Sequence, residues 1–147
     1  MSLLGELTFF LGLQVQQAID GIFLSQAKYL KQILKKYGME DYKPMSNPMV
    51  TGCNLSSHDD SLAVNQPEYR SMIGSLLYFT RTRQDIMHAI GIVGRFQANP
   101  KESHLQAIKR ILKYLQGTQD FGLWYPKNVD LTLHAYRDAD WAGNVDD

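Results

Sequence analysis

Residues 67–86, PEYRSMIGSLLYFTRTRQDI, are the stretch around which the chain is organised. Tyr69, Met72, Ile73, Leu76 and Leu77 recur at steps of three and four, the spacing of one apolar helix face. Asn65 followed three positions later by Glu68 is a capping-box pattern, and Pro67 suits a first turn, where its missing N–H costs nothing. Gly74 is the exception. Glycine inside a helix costs about 1 kcal/mol against alanine, so it marks a place where something comes close to the backbone. Arg70 lies one turn before it and Tyr78 one turn after, aligning a cation, a gap and an aromatic. The pattern leaves two readings open: an ordinary core helix with a tolerated glycine, or a helix that lies against a ligand backbone.

The neighbouring sequence supplies partners for the apolar face. After a polar break at 80–84 containing Arg81 and Arg83, the spacing predicts a helix over 85–97 that buries Ile86, Ala89, Ile90, Val93 and Phe96. His88 and Arg95 fall off that face and read as solvated. Asn99-Pro100-Lys101-Glu102 combines a cap, a first-turn proline and an acid, and opens a helix to Gln116 that stops at Gly117. Its buried side is Leu105, Ile108, Ile111, Leu112 and Leu115. Upstream, Ser25 caps a helix to about Tyr37, with Gly38 as its stop and Ala27, Leu30, Ile33, Leu34 and Tyr37 inward. Consecutive amphipathic helices of this kind pack as a small bundle. Residues 43–65, with Pro44, Pro48, Gly52 and several serines, read as a long loop or linker. His58-Asp59-Asp60 within it lacks the distant fourth ligand that a metal site needs.

Both ends of the chain switch to strand character. LTFFLGLQVQQ at 7–17 alternates in its second half and predicts one half-buried strand, with a bulge or close approach at Gly12. Asp20-Gly21 is a hairpin turn and Ile22-Phe23-Leu24 the returning strand. Residues 121–125 and 131–136, separated by Pro126-Lys127-Asn128, predict a second hairpin whose last strand runs into Arg137-Asp138-Ala139-Asp140. The fold class is therefore α+β: an N-terminal hairpin, a central helical bundle and a C-terminal hairpin that begins a sheet.

The charge is unevenly distributed. The 147 residues carry 15 Lys and Arg against 15 Asp and Glu, for a net charge of zero. Residues 1–66 balance at −1 (five Lys, six acids), 67–119 at +5 (eight Lys/Arg, three acids) and 120–147 at −4 (two Lys/Arg, six Asp). A basic middle can meet a polyanion and an acidic end a divalent metal, although a solvated surface explains each as well. Lys28, Lys31 and Lys35 form one basic stripe at i, i+3 and i+7 with no acid among them. They repel mildly at that spacing, a cost that a polyanion would relieve. The single cysteine, Cys53, excludes an internal disulfide and a cysteine-based zinc site. With no signal peptide and no apolar run of membrane-spanning length, the chain reads as intracellular, cytoplasmic or nuclear and not secreted, without a membrane partner.

Six segments then match one family in order: LGELTFFLGLQV at 4–15, GIFLSQAKYLKQILKKYGM at 21–39, KPMSNPM at 43–49, YRSMIGSLLYFTRTRQDI at 69–86, HLQAIKRILKYLQGT at 104–118 and YRDADWAG at 136–143. The chain resembles the reverse transcriptase of copia-type LTR retrotransposons along nearly its whole length. The resemblance implies the end of a polymerase palm at 1–25, a helical thumb and connection at 26–118, and the start of a ribonuclease H domain at 119–147. Phe10, Leu11 and Gly12 would then belong to the hairpin that holds the primer terminus. MIGSLLYF would be the thumb helix that follows the primer–template, with Gly74 as the point of approach, Tyr78 as the packing aromatic and Arg70 as the polar position one turn earlier. Asp138 would be the first metal-binding carboxylate of ribonuclease H and Asp140 a secondary candidate.

Two departures stand out. Thr82-Arg83-Gln84-Asp85 replaces the family's Thr-Arg-Pro-Asp. The palm's Tyr-x-Asp-Asp hairpin, expected upstream of LGELTFFLG, is not among these residues, and Asp138 is at most one of the ribonuclease H set. Mg²⁺ serves the parent enzyme but is not expected to bind tightly here, since two-metal chemistry needs several carboxylates. The implied function is a fragment of an RNA-directed DNA polymerase with ribonuclease H that contacts an RNA–DNA hybrid or DNA primer–template. It would work with the missing parts of the same polyprotein and be inactive alone. The alternatives are a non-enzymatic nucleic-acid-binding remnant or a functionless relic.

Overall fold

The computed structural model describes residues 4–127, which separate into two units, one containing residues up to 24 and from 124 onward, the other Ser25–Leu123. The first is built on strands β1 (Leu4–Phe10), β2 (Leu13–Ala18), β3 (Gly21–Ser25) and β4 (Leu123–Pro126), hydrogen-bonded in that order as an antiparallel sheet. The single strand expected over 7–17 is instead two. Phe10 pairs with Leu13, so the chain reverses through the two residues between them. Both have positive φ, 54° at Leu11 and 82° at Gly12, as a tight two-residue hairpin loop requires. The alternation of Leu11, Leu13 and Val15 thus spans a turn, which strand periodicity does not register.

The second turn falls at Ile19-Asp20, and Gly21 follows it for a steric reason. A Cβ there would lie 2.5 Å from the Tyr125 carbonyl oxygen and 2.6 Å from the Trp124 ring, so only glycine lets β4 close on β3. The Lys127 N–H donates to the Asp20 carbonyl at 2.8 Å, continuing this edge. The strand expected over 131–136, like Asp138 and Asp140, lies outside the described residues.

The second unit is helical: α1 (Ala27–Lys36), α2 (Gln66–Phe79), a 3₁₀ turn (Gln84–Ile86), α3 (Met87–Gly94) and α4 (Glu102–Gly117). Its core joins Leu30, Ile33 and Leu34 of α1, Tyr69, Met72, Ile73, Leu76 and Phe79 of α2, Ile86, Ala89, Ile90 and Val93, and Ile108, Ile111, Leu112 and Leu115 of α4. Burial of each large side chain among these stabilises the unit by about 1.5–3 kcal/mol. The start of α2 follows the expected chemistry. Asn65 Oδ1 accepts the Glu68 N–H at 2.9 Å, and Pro67 lies in the first turn. Leu77, expected inward, is 53% exposed and lines a groove of about 510 Å³ between α2 and α3, while Phe79 takes the buried place.

Three boundaries differ from expectation. Ser25 ends β3 and does not cap α1. Gln26 holds that position, and its buried amide reaches across to α2's end, donating to the Tyr78 carbonyl at 3.0 Å and accepting from Thr82 Oγ1 at 2.6 Å. The helix expected over 85–97 begins as the 3₁₀ turn and ends at Gly94. Helix α4 starts at Glu102 rather than beside Asn99. His104 Nδ1 accepts the Lys101 N–H at 3.0 Å, so its Nε2 carries the proton and donates to the Ser56 carbonyl at 2.9 Å. The buried ring also stacks on Phe96, with centroids 3.9 Å apart.

Residues 43–65 do not behave as a linker. Met49, Leu55 and Val64 pack on the core. The Met45 N–H donates to the Lys113 carbonyl, Arg110 to Asn47 Oδ1 at 2.6 Å, and the Glu102 N–H to the Leu62 carbonyl at 2.8 Å. The segment is a strap across α4, irregular because its backbone is satisfied by individual hydrogen bonds instead of a ladder.

Candidate nucleic-acid interface

Helix α1 has no acid, and α2 has one, Glu68. Lys28, Lys31 and Lys35 are all exposed on α1. Side chains link α1 to α2, whose chain directions are opposed. Near the start of α1, the Tyr29 ring meets Tyr78 at 4.7 Å and Phe79 at 4.9 Å. Near its end, the Tyr37 hydroxyl is 2.9 Å from Ser71 Oγ. At 3.6 residues per turn, Lys28, Lys31 and Lys35 lie about 100–180° round α1 from Tyr29 and Tyr37, so the lysine stripe and the α2 stripe of Arg70, Gly74 and Tyr78 are separate exposed features.

Arg70 and Gly74 are exposed and Tyr78 is half-buried. Apart from its chain neighbours and the helix's own nearby backbone, no atom of the described residues lies within 4 Å of where a Cβ on Gly74 would stand. Packing among the described residues thus does not require glycine here. Arg81, which the spacing argument passed over as part of a polar break, extends the stripe. Its guanidinium lies 5.0 Å from the Tyr78 ring centroid. Arg81 lies in the turn past the end of α2, where its backbone N–H donates to the Tyr78 carbonyl.

The sheet unit carries the other candidate. Phe9, Phe10 and Leu11 are exposed at the β1–β2 turn, Phe10 and Leu11 at 67% each. Leu11 holds a left-handed conformation that costs a non-glycine residue about 1–2 kcal/mol. Apolar residues and strain at a tip are unfavourable in water.

Arg83, by contrast, is structural. It is buried at the end of the 80–84 break, donates to the Thr118 carbonyl at 2.9 Å and Oγ1 at 2.7 Å, and forms a two-pronged pair with Asp85 at 3.2 and 2.9 Å. Tyr114 also donates to Asp85. Burial pushes the Asp85 carboxyl up, but the hydrogen bonds from Arg83 and Tyr114 and the Arg83 charge outweigh it and hold the group below its usual value. Burial and then the same carboxylate push the Tyr114 phenol up. This pairing ties the turn before α3 to Thr118 at the end of α4.

Among the described residues no group of three or more His, Cys, Asp or Glu is placed to hold a metal, His58-Asp59-Asp60 included. Asp138 and Asp140 lie outside them. No helix among these residues is long and apolar enough to cross a membrane.

No protein-family profile matches the chain, and no solved structure matches it. Among curated proteins it is 42% identical over 142 residues to the retrovirus-related Pol polyprotein from transposon RE1 of Arabidopsis thaliana, covering 97% of the chain and 10% of that protein. It is 36% identical over 152 residues to the corresponding polyprotein from transposon TNT 1-94 of Nicotiana tabacum, covering 97% of the chain and 11% of that protein. An uncharacterized mitochondrial protein of Arabidopsis thaliana is 41% identical over 140 residues, which cover 95% of the chain and 58% of that relative. The chain belongs to the retrovirus-related Pol polyproteins of copia-type retrotransposons and spans about one tenth of the length of those it matches.

Proposed function

We propose that the chain is a primer–template-contacting segment of a retrotransposon RNA-directed DNA polymerase with ribonuclease H activity. One observation carries the reading: exposed cations, Lys28, Lys31 and Lys35 on α1 and Arg70 on α2, accompany an open backbone at Gly74. Lys and Arg at such a surface displace the counterions condensed on nucleic acid, while the bare glycine admits a sugar–phosphate edge. In this reading Phe10, Leu11 and Gly12 at the hairpin tip hold the primer terminus and Tyr78 packs the thumb helix. Asp138, with Asp140 second, belongs to the ribonuclease H site, and Mg²⁺ serves the parent enzyme. Other parts of the same polyprotein are the partners. The 147 residues contain no Tyr-x-Asp-Asp sequence, so by itself the chain binds without polymerising.

Binding of a labelled RNA–DNA hybrid across a salt series tests this reading. Each displaced phosphate counterion contributes about 0.9 to the logarithmic slope, so replacing the three lysines by alanine removes about 2.7 of it. An unchanged slope would remove α1 from the interface. Nucleotide incorporation by the isolated chain in a primer-extension assay with Mg²⁺ or Mn²⁺ would refute its silence.

A second reading, a non-enzymatic nucleic-acid-binding remnant, has one specific support. A 140-residue match fills 58% of the mitochondrial relative, so a similar stretch exists within a protein far shorter than a Pol polyprotein. That reading predicts the same salt-dependent binding in a chain with no need of polymerase partners, whereas a functionless relic predicts none.

A further inference from the structure

We infer that the cleft between α4 and the strap of residues 43–65 is a binding site for a small apolar carboxylate, its anionic head held by Arg110 and Lys113. The inference is independent of the nucleic-acid reading and concerns a face of the helical unit to which that reading gives no role. The cleft has a volume of about 300 Å³, at the small end of the range of about 300–1,000 Å³ that ligand pockets occupy. Met45, Pro48, Met49 and Leu55 make its strap wall apolar, and Arg110 and Lys113 stand on its α4 wall. Three of those apolar residues come from KPMSNPM at 43–49, one of the six segments that resemble the family.

The charge on this face decides the kind of ligand. Arg110 and Lys113 are half-buried and one turn apart on α4, so they repel each other mildly. Among the described residues the ion pair formed is that of Arg83 with Asp85, and neither Arg110 nor Lys113 has a carboxylate partner. Arg110 gives one N–H to Asn47 Oδ1 at 2.6 Å, its Nε is buried with no acceptor, and Lys113 Nζ lies 5.2 Å from the centre of the Tyr42 ring. Two cations partly withdrawn from water among neutral neighbours are under-compensated. A carboxylate supplies the missing charge, and its two oxygens match the planar fork of a guanidinium. Two acids reach this face, Glu102 through Gln106 and Asp59 through Ser103, and both do so at the start of α4, one to two turns before Arg110. The apolar wall takes a hydrocarbon body, so the ligand is an amphipathic monoanion rather than a bare ion.

The test follows alkylation of Cys53, the single cysteine, which lines the cleft. Iodoacetamide labelling of the whole 147-residue chain is measured by mass with and without octanoate, and the ratio of the two rates reports protection. Octanoate is expected to slow labelling severalfold. Octanol, octylamine and inorganic phosphate are not, since each lacks either the negative charge or the apolar body. Cys53 also lines a second cavity, against α3, so variants decide which side is filled. Arg110→Gln and Lys113→Gln are each expected to raise the half-protecting octanoate concentration roughly tenfold. Thermal melting checks that each variant folds. Arg110→Lys, which keeps the charge without the fork, replaces the glutamine variant if that melts early, with a smaller rise expected. No protection by octanoate overturns the site. Equal protection by octanol or octylamine overturns the anionic head, and equal protection by phosphate overturns the apolar body. Protection unchanged in the variants places octanoate away from Arg110 and Lys113 and overturns their assignment.

Discussion

The helical unit and the sheet unit handle their apolar side chains in opposite ways. In the helical unit, every helix contributes to one continuous core, and Leu76, Ile86, Val93, Ile108, Ile111 and Leu115 are wholly buried. In the sheet unit, the described residues leave Phe9, Phe10, Leu11, Ile19, Ile22, Trp124 and Tyr125 exposed. The contrast has a geometric source. Four helices can turn their apolar stripes toward a common centre, whereas a small sheet has two faces and covers neither by itself. Among the described residues, the wholly buried apolar side chains belong to the helical unit, and the hairpin tip leaves apolar ones exposed.

The sharpest way to break this contrast is Leu76→Ala. It empties the centre of the helical core and should cost about 2–5 kcal/mol in thermal or denaturant unfolding. A cost near zero would mean that the helical unit is not the stable part. Next comes Arg83→Met, which keeps the apolar stem and removes the charge. Breaking a buried ion pair costs about 3–5 kcal/mol, and less is expected here, about 2–3 kcal/mol, because Asp85 is 38% exposed and can rehydrate. Retained stability would show that the turn is held by packing alone.

Acid should act on the same contact. The Asp85 carboxyl is held below its ordinary value of 3.8 in the folded chain, so its contribution is fully present above that value and is lost as pH falls through the lower folded value. Melting temperature should drop less steeply below 3.8 in Asp85→Asn than in the unmodified chain, and equal slopes would contradict the assignment. The smallest effect is expected at the hairpin tip. Leu11→Asn relieves the left-handed leucine and should stabilise the sheet unit by up to about 1 kcal/mol, read from amide exchange in β1 and β2. If the tip also holds a primer terminus, the same variant binds hybrid less tightly, so stability and binding move in opposite directions.

The local elements were largely legible in the sequence. Asn65 and Glu68 announced the start of α2, Asp20-Gly21 a turn that falls one residue earlier at Ile19-Asp20, and three- and four-residue spacing most of the core. Each depends on residues within one or two turns of each other, and backbone geometry enforces that relation directly. The candidate interface was only partly legible. The Lys28, Lys31 and Lys35 stripe and the Arg70, Gly74 and Tyr78 line could be read separately, but the pattern alone could not choose between core and ligand for Gly74.

The rest arose from contacts between residues distant in sequence. The structure alone placed Arg81 over Tyr78, Tyr29 against that same ring, His104 between Lys101 and Ser56, and β4 against Gly21. It also divided one apparent strand at Leu11-Gly12, because a turn that conserves side-chain alternation leaves no mark in the pattern. Spacing and capping chemistry were sufficient for an α+β chain with a helical centre. Which helices meet depended on how the core side chains fit together, and that fit is a property of the packed whole rather than of any one segment.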